Sequence, residues 1–246
     1  FGKTKMSKPE VVAELVTIFE RYDLVAVQEI KDIDEQVPYQ FLDALNNNSS
    51  IDWKMVLSLR TGLQEDDQNS QEQYAYYYRS DVFISLDNGS LYNDSEKDSF
   101  QREPLVSQFE LLDLAGNSTG LDFTLINIHT KPTAAVAEME GLQDVLNWSA
   151  QIFDESDQII LGDFNGDCTY ASYQELISLS ISTANHTWII PDDADTTVGD
   201  SRCAYDRVVA TSDLDERLTG HWGVDMDISS GNVSDHRPVW FDISRV

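Results

Sequence analysis

The N-terminal part of the chain passes from a helical hydrophobic pattern to a continuous apolar run. Ser7-Lys8-Pro9-Glu10 has the pattern of a capping box, in which a serine and a later glutamate bond to backbone N–H groups at a helix start. Apolar residues then recur at helical spacing as far as Tyr22. The run Asp23 to Gln28 is typical of a strand buried on both faces. We therefore predict a helix followed by a buried strand that ends at Glu29.

The middle of the chain has the alternating pattern of antiparallel strands. Tyr74–Arg79 and Val82–Leu86 predict one hairpin. Leu105–Leu114 and Leu121–His129 predict another, with Gly116-Asn117 near its turn. We expect antiparallel pairing throughout this part of the chain.

The C-terminal half combines one long helical pattern with short apolar strands. Apolar residues repeat at helical spacing from Thr133 to Phe153. Strands are predicted at Ile159–Leu161, Tyr205–Ala210 and Pro238–Ile243. This mixture of helices, strands and hairpins favours an α/β fold of packed sheets with helices outside. No linker or low-complexity tract divides the chain, so we predict a single domain over residues 1–246.

Polar residues stand at the ends of several of these strands, where α/β folds place their chemistry. Four of them carry oxygen ligands that suit a hard cation such as Mg²⁺: Glu29, Asp163, Asn165 and Asp235. His129 and His236 lie at similar boundaries, and imidazoles exchange protons near neutral pH. A single polar residue at a strand end is usually structural, but this number in one chain favours a site.

The charge balance is strongly acidic. Lys and Arg number 16 and Asp and Glu number 44, which gives 16 − 44 = −28. We interpret this excess as adaptation to high salt, where the screening length falls to about 3 Å at 1 M. Basic residues close to the polar motifs nevertheless predict a local positive site: Lys31, Arg102, Lys131, Arg202, Arg207 and Arg237. No apolar run approaches the roughly 18 residues of a membrane span, so we expect no membrane partner.

The chain contains two cysteines, Cys168 and Cys203. Taken alone, they are compatible with two buried thiols or with one disulfide.

Five segments together resemble a known family: Val27-Gln28-Glu29, Ile128-His129-Thr130-Lys131-Pro132, Gly162-Asp163-Phe164-Asn165, Cys203-Ala204-Tyr205-Asp206-Arg207 and Ser234-Asp235-His236. The QE, GDFN and SDH elements resemble the superfamily of endonucleases, exonucleases and phosphatases. The IHTKP and GDFNGDC…CAYDR elements are similar to the deoxyribonuclease I branch in particular. The resemblance runs from Phe1 to the C-terminus.

The resemblance implies a four-layer α/β/β/α sandwich of two packed mixed sheets with outer helices, and a role for each matching residue. Residues implied to hold Mg²⁺ or Mn²⁺ are Glu29, Asp163, Asn165 and Asp235. His129 and His236 would form the general acid and base pair, with Glu72 orienting His129 and Asp206 orienting His236. Residues implied to contact DNA are Lys31, Arg102 and, in the place of a tyrosine, Ser70. A metal would neutralise charge on the phosphate while the two imidazoles move protons.

The same resemblance implies structural features around the site. Cys168 and Cys203 would form a disulfide between two active-site loops. One structural Ca²⁺ loop would comprise Asp195, Thr197, Gly199 and Ser201. The other would comprise Asp98, Phe100 and Glu103.

The sequence departs from the family in ways that change these expectations. The family opens with a strand that carries an active-site asparagine, whereas Phe1 aligns with the loop after that strand. We expect the strand to belong to the full protein. Lys31 stands where an arginine is usual, and a lysine lacks planar two-point contact with phosphate. With the net charge of −28, this predicts weak affinity for duplex DNA, and an additional DNA-binding module outside this chain.

The resulting hypothesis is a secreted, monomeric, salt-tolerant endonuclease that leaves 5′-phosphate ends on DNA. A signal peptide is expected to have been removed. One alternative keeps the fold but makes the substrate a phospholipid or an inositol phosphate. A third hypothesis, a binding module with a degenerate site, is disfavoured because the acidic residues and histidines of the motifs are all present.

Overall fold

The computed structural model describes residues 1–63, 70–228 and 231–245. Its α-helices are α1 (Lys3–Met6), α2 (Pro9–Phe19), α3 (Val37–Asn48), α4 (Ala135–Phe153) and α5 (Tyr173–Leu176). The strands of the N-terminal half are β1 (Leu24–Ile30), β2 (Trp53–Leu57), β3 (Gln73–Arg79), β4 (Phe83–Ser85), β5 (Ser90–Leu91), β6 (Leu105–Leu112) and β7 (Ser118–His129). Those of the C-terminal half are β8 (Gln158–Asp163), β9 (His186–Trp188), β10 (Asp206–Thr211), β11 (Leu218–Val224) and β12 (Val239–Ile243).

The elements form a four-layer α/β/β/α sandwich, which confirms the fold class. Strand β3 shows how the layers are built, because successive side chains of a strand point to opposite faces. Tyr74, Tyr76 and Tyr78 lie in the core between the sheets, and Ala75 and Tyr77 lie in the outer core beneath α2 and α3. Helix α4 covers the outer face of the other sheet. Among the described residues, no helix has the length and apolar character that crossing a membrane requires.

One sheet is continuous and carries the centre of the fold. Its strands lie in the order β4-β6-β7-β8-β10-β9, and β5 also pairs with β6. β7 and β8 are parallel, whereas the other pairs are antiparallel. β8 is buried along its whole length, as expected of a central strand covered on both faces.

The second sheet layer is split, and we call it the split layer. It consists of the three strands β1-β3-β2 and the separate pair β11-β12. A cleft of about 1070 Å³ is lined by residues of both β1 and β12. β1 therefore has a sheet partner only on the β3 side among the described residues, and Leu24–Gln28 are only partly buried. Both faces of the strand are nevertheless packed, with Leu24 and Ala26 against the core between the sheets and Val25 and Val27 against the outer core. The partial exposure comes from the edge of the strand that faces the cleft.

Two local predictions were wrong. β3 and β4 do not form a hairpin, because the chain crosses after Arg79 from the split layer to the continuous sheet, where β4 pairs with β6. Ser7 does not cap α2: its hydroxyl donates to the carbonyl of Thr4, and Lys8 precedes the helix. The predicted hairpin of β6 and β7 and the long helix α4 are confirmed.

Candidate active site

Three neighbouring strands of the continuous sheet bring three predicted site residues to one edge. Parallel pairing of β7 with β8 places His129 beside Asp163. Antiparallel pairing of β8 with β10 places Asp206 on the other side of Asp163. Gly162 makes this approach possible, because its φ is +134° and a Cβ there would lie 2.0 Å from the carbonyl oxygen of Ile128.

His129 and Glu72 form a buried pair, which we call the first dyad. His129 Nδ1 lies 2.8 Å from Glu72 Oε2, so a carboxylate from the split layer orients an imidazole of the continuous sheet. Burial acts to raise the pKa of Glu72. The hydrogen bond to His129 and the charges of Arg102 and Lys31 outweigh burial and lower this pKa to about 2. Glu72 is therefore a carboxylate at neutral pH.

His236 and Asp206 form the second dyad, which is less buried. His236 Nδ1 lies 2.8 Å from Asp206 Oδ2. Burial acts to lower the pKa of His236, but the hydrogen bond to Asp206 and the charges of Asp163 and Asp235 raise it to about 10. The ring of Tyr205 lies beside the imidazole, with 6.1 Å between ring centroids. The second dyad therefore favours the protonated form of this imidazole.

Asp163 lies between the two dyads. Its Oδ2 atom is 3.6 Å from His129 Nε2 and 3.8 Å from His236 Nε2. Burial and the neighbouring charge of Asp206 raise the pKa of Asp163 to about 6. Both imidazoles thus point one nitrogen at an orienting carboxylate and the other at Asp163. A phosphate bound at this carboxylate through a cation would meet both imidazoles.

The other predicted metal ligands are Glu29, Asn165 and Asp235, and each lies next to Asp163 or a member of a dyad in space or in sequence. Glu29 Oε1 lies 3.7 Å from His129 Nε2. Asn165 Nδ2 donates to the carbonyl of Thr130 over 3.1 Å, which fixes which end of the amide is its oxygen. Asp235 is exposed and lines the same cleft as Glu29 and Asp163. Glu29 and Asn165 both have left-handed backbone, with φ of 56° and 46°. Such strained conformations concentrate at functional sites.

This donor set fits a hard divalent cation. At the dyads, ligand atoms lie within 4.8 Å of one another in the group of Glu29 with Glu72 and His129 and in the group of Asp163 with Asp206 and His236. A third such group among the described residues contains the disulfide cysteines with Asp167. Asp235 belongs to none of these groups. Carboxylate oxygens and one amide oxygen are the ligands that Mg²⁺ and Mn²⁺ prefer. The carboxylates outnumber the cationic groups that contact them, so a bound cation would offset their mutual repulsion.

The basic residues near the motifs differ in how exposed they are: Lys31, Lys131 and Arg202 are exposed, whereas Arg102 and Arg207 are buried. Arg102 is buried, and its guanidinium donates to the carbonyls of His129 and Thr130 and lies 3.5 Å from Glu72. Lys31 Nζ lies 3.1 Å from Glu72 Oε1. Ser70 donates to the carbonyl of Gly62. DNA contact by these three residues stays a prediction, and their observed contacts are within the protein.

The loop that follows Asn165 is held by a disulfide and a buried arginine. Cys168 is bonded to Cys203, with 5.8 Å between their Cα atoms. Arg207 is fully buried and donates to the carbonyls of Gly166, Ile190 and Ala204. Its charge is also paired with Asp192 Oδ1 at 2.9 Å. These contacts join the Asn165 loop to the segment that leads into Asp206.

The predicted calcium loop of Asp98, Phe100 and Glu103 contains one further residue that could bind a cation, which was not predicted from the sequence. Asp94 is buried, its Oδ2 accepts from the N–H of Phe100, and its Oδ1 has no hydrogen-bond partner among the described residues. Asp98 is exposed in left-handed backbone, and Glu103 accepts from the hydroxyl of Thr61. An orphaned buried carboxylate oxygen fits a cation, so Ca²⁺ is compatible with this loop.

The predicted calcium loop that begins at Asp195 is called the 195–201 loop. An arginine side chain already supplies a positive charge there. Arg237 Nη1 lies 2.8 Å from Asp195 Oδ2. Asp195 Oδ1 is 3.1 Å from the hydroxyl of Thr197, which also lies 2.7 Å from the carbonyl of Ser201. Gly199 is in left-handed backbone, with φ of 121°. Asp195, Thr197 and Ser201 therefore contact one another, and the carboxylate of Asp195 is paired with a guanidinium, an arrangement that does not fit Ca²⁺.

Other residues that support the site were not assigned their structural roles from the sequence. In the sequence, Tyr74 is one of several aromatic residues in a predicted strand. In the structure, its hydroxyl accepts from the N–H of His129 over 3.1 Å. Arg207 was predicted to be a basic residue of the site surface, whereas the structure buries it. Asp94 could have been found, because it lies in the same acidic turn as Asp98.

Comparison with known proteins places this arrangement in a family. The Endonuclease/Exonuclease/phosphatase family model matches residues 2–236. The chain is 35% identical to deoxyribonuclease-1 of Gallus gallus over 217 residues, which are 85% of this chain and 73% of that protein. It is 33% identical to deoxyribonuclease-1 of Ovis aries over 255 residues, with 97% of this chain and 94% of that protein covered.

Among solved structures, the chain is similar to the 3′ phosphatase NExo from Neisseria bound to a product DNA hairpin. The TM-score is 0.63 at 17% identity, and the match covers 96% of this chain and 95% of that one. At this identity the likeness shows the shared fold alone.

Proposed function

Because the chain belongs to the deoxyribonuclease I family within the endonuclease, exonuclease and phosphatase superfamily, we propose that it is a metal-dependent endodeoxyribonuclease. It hydrolyses phosphodiester bonds of DNA and leaves 5′-phosphate ends. The observation that carries the proposal is the placement of the two dyads on either side of Asp163. This arrangement offers two proton-transfer groups to one phosphate.

The reaction needs one imidazole to accept a proton and the other to donate one. Water attacks the phosphorus atom and loses a proton to the neutral imidazole of one dyad. The P–O3′ bond breaks, and the protonated imidazole of the other dyad delivers its proton to the leaving 3′ oxygen. Glu72 and Asp206 hold the rings so that both Nε2 atoms face the phosphate. The orienting carboxylates also stabilise each ring when it is charged.

Glu29, Asp163, Asn165 and Asp235 are proposed to hold Mg²⁺ or Mn²⁺. When bound, the cation neutralises charge that grows on the phosphate. Asp94 with Asp98, Phe100 and Glu103 is proposed to hold a structural Ca²⁺.

The disulfide and the net charge support a proposal about the compartment and the salt concentration in which this activity occurs. A disulfide persists in oxidising compartments, which supports a secreted protein. The net charge of −28 supports activity at high salt, because screening weakens repulsion from DNA. We propose that the protein acts as a monomer, that its melting temperature rises with NaCl, and that a DNA-binding module outside this chain supplies affinity.

A plasmid assay tests the proposal. Supercoiled plasmid is incubated with the protein and Mg²⁺ or Mn²⁺ from low to molar NaCl, and nicked circles are expected. Chelator should abolish nicking, and so should Asp163→Asn, purified in parallel to exclude a contaminating nuclease. His221→Gln, at an exposed histidine, is the matched control and should nick like the wild type. The nicks should be closed by DNA ligase, which requires a 5′-phosphate. No nicking at any ionic strength would refute the proposal.

One observation favours a second candidate, hydrolysis of a phospholipid or an inositol phosphate. Arg102 and Lys31 make internal contacts, so the site presents less positive surface to a duplex than the sequence suggests. Release of phosphocholine or phosphate from such substrates, without plasmid nicking, would select this alternative.

A further inference from the structure

The 195–201 loop connects both members of the second dyad. The hydroxyl of Thr196 accepts from the backbone N–H of Asp206 over 3.2 Å. On the other side, the N–H of Val198 donates to the carbonyl of Asp235 over 2.8 Å, and Thr197 forms a β-bridge with His236. The position of the loop therefore sets where Asp206 and His236 meet.

Arg237 anchors this loop from the residue next to His236. Its backbone N–H donates to the carbonyl of Thr196 over 2.7 Å. Its Nη1 atom lies 2.8 Å from Asp195 Oδ2 and 3.3 Å from the Asp195 carbonyl oxygen. The side chain is only 13% exposed, so water screens this ion pair weakly. One guanidinium thus binds a carboxylate and a carbonyl of the loop, which are the two kinds of oxygen that a calcium ion would bind.

A divalent cation has no separate place among these groups. Asp195 Oδ1 is held by Thr197, and the Thr197 hydroxyl lies against the Ser201 carbonyl. A cation that reached Asp195 would have to displace the guanidinium or lie beside it, where like charges repel.

We propose that Arg237 takes the place of a calcium ion in the 195–201 loop, as a positioning residue for the second dyad. The cation that holds the loop is then part of the chain. In this proposal the guanidinium stands where calcium was expected, at Asp195, Thr197, Gly199 and Ser201. The role in the dyad rests on the proposed function, whereas the replacement of calcium does not.

Hydrogen exchange of peptides from the 195–201 loop tests the proposal without DNA or turnover. The wild-type protein is compared in EGTA and in millimolar Ca²⁺, with Mg²⁺ constant, and no change of exchange in the loop is expected. Arg237→Gln should speed loop exchange at least roughly tenfold in EGTA, because an ion-pair partner is left uncompensated. Ca²⁺ should then slow it again. Arg237→Lys, which keeps the charge but loses the planar fork, should show a smaller increase.

Two further variants make the result specific. Arg79→Gln removes an arginine ion-paired with Asp23 and Asp81 on the split layer, and loop exchange should not change. Adding Asp195→Asn to Arg237→Gln should abolish the response to Ca²⁺. Exchange of β8 reports whether each variant is folded.

Three results would overturn the proposal. One is slower loop exchange in the wild type on addition of Ca²⁺, and another is unchanged exchange in Arg237→Gln. The third is faster exchange in Arg237→Gln that Ca²⁺ does not reverse, which would make Arg237 an ordinary ion pair. None of these results depends on nicking, so failure of the proposed function is distinguishable.

Discussion

The continuous sheet holds its part of the site by strand register, whereas the split layer holds its part by contacts at strand ends and loops. His129, Asp163 and Asp206 lie on three paired strands and are largely buried. Glu29 and Asp235 are exposed, and His236 is partly so; all three line or adjoin the cleft. Strand pairing therefore positions one half of the site, and individual polar contacts position the other.

This difference explains where the special contacts are found. In the continuous sheet, strand pairing with a glycine at position 162 brings Asp163 beside His129. The other half is held by the Arg237 ion pair and by the β-bridge of Thr197 with His236. The disulfide joins the Asn165 loop to the segment that leads into Asp206. Polar contacts of this kind are directional, so they can position a side chain where no sheet pairing does.

The largest expected effect tests whether the two halves act as a unit. His129→Gln and His236→Gln should each lower the rate of plasmid nicking by about 10²–10⁴-fold, because each removes a proposed proton-transfer group. The double variant should lose little more than either single one. Initial rates at saturating Mg²⁺ measure this, with His221→Gln as control. Losses that multiply in the double variant would mean that the two halves contribute independently.

A smaller effect compares the packing of the two layers. Ile160 on β8 is fully buried, whereas Ile243 on β12 is only partly buried. Ile160→Ala should lower the free energy of unfolding by about 2–5 kcal/mol. Ile243→Ala should cost less, because less apolar area is lost from the interior. Urea denaturation of both variants measures the difference. A larger loss at Ile243 would show that the split layer is the better packed one.

The smallest effect is on the pH dependence of stability in chelator. The pKa of His236 is raised in the folded protein to about 10 from an ordinary value of about 6.5. Protonated His236 therefore stabilises the fold fully below about pH 6.5, and this contribution is lost as the pH rises towards 10. The stability difference between the wild type and His236→Gln should shrink over that interval in urea titrations. A constant difference would mean that the Asp206 pairing does not favour the charged ring.

Much of the fold followed from local patterns, because helix α4 and strands β6 to β8 have strong hydrophobic periods. The predicted β3–β4 hairpin was wrong because alternation shows that a segment is a strand without showing which sheet it joins. Strand ends pointed to the site residues, since the ends of β7, β8 and β10 meet at one edge. The pairing of Arg237 with Asp195 was not predictable in this way. It joins two loop residues 42 positions apart, which no hydrophobic period connects.

Gly162 has a consequence for how this protein can vary. Even a methyl group there would overlap the Ile128 carbonyl, and the backbone angle disfavours any side chain. Neighbouring apolar positions of β8 can exchange one aliphatic side chain for another of similar volume at modest cost. Position 162 has no such freedom, because relief of the overlap would push β8 away from β7 and separate Asp163 from His129. A substitution at position 162 is therefore expected to disturb the pairing of Asp163 with His129, whereas aliphatic exchanges elsewhere on β8 are not.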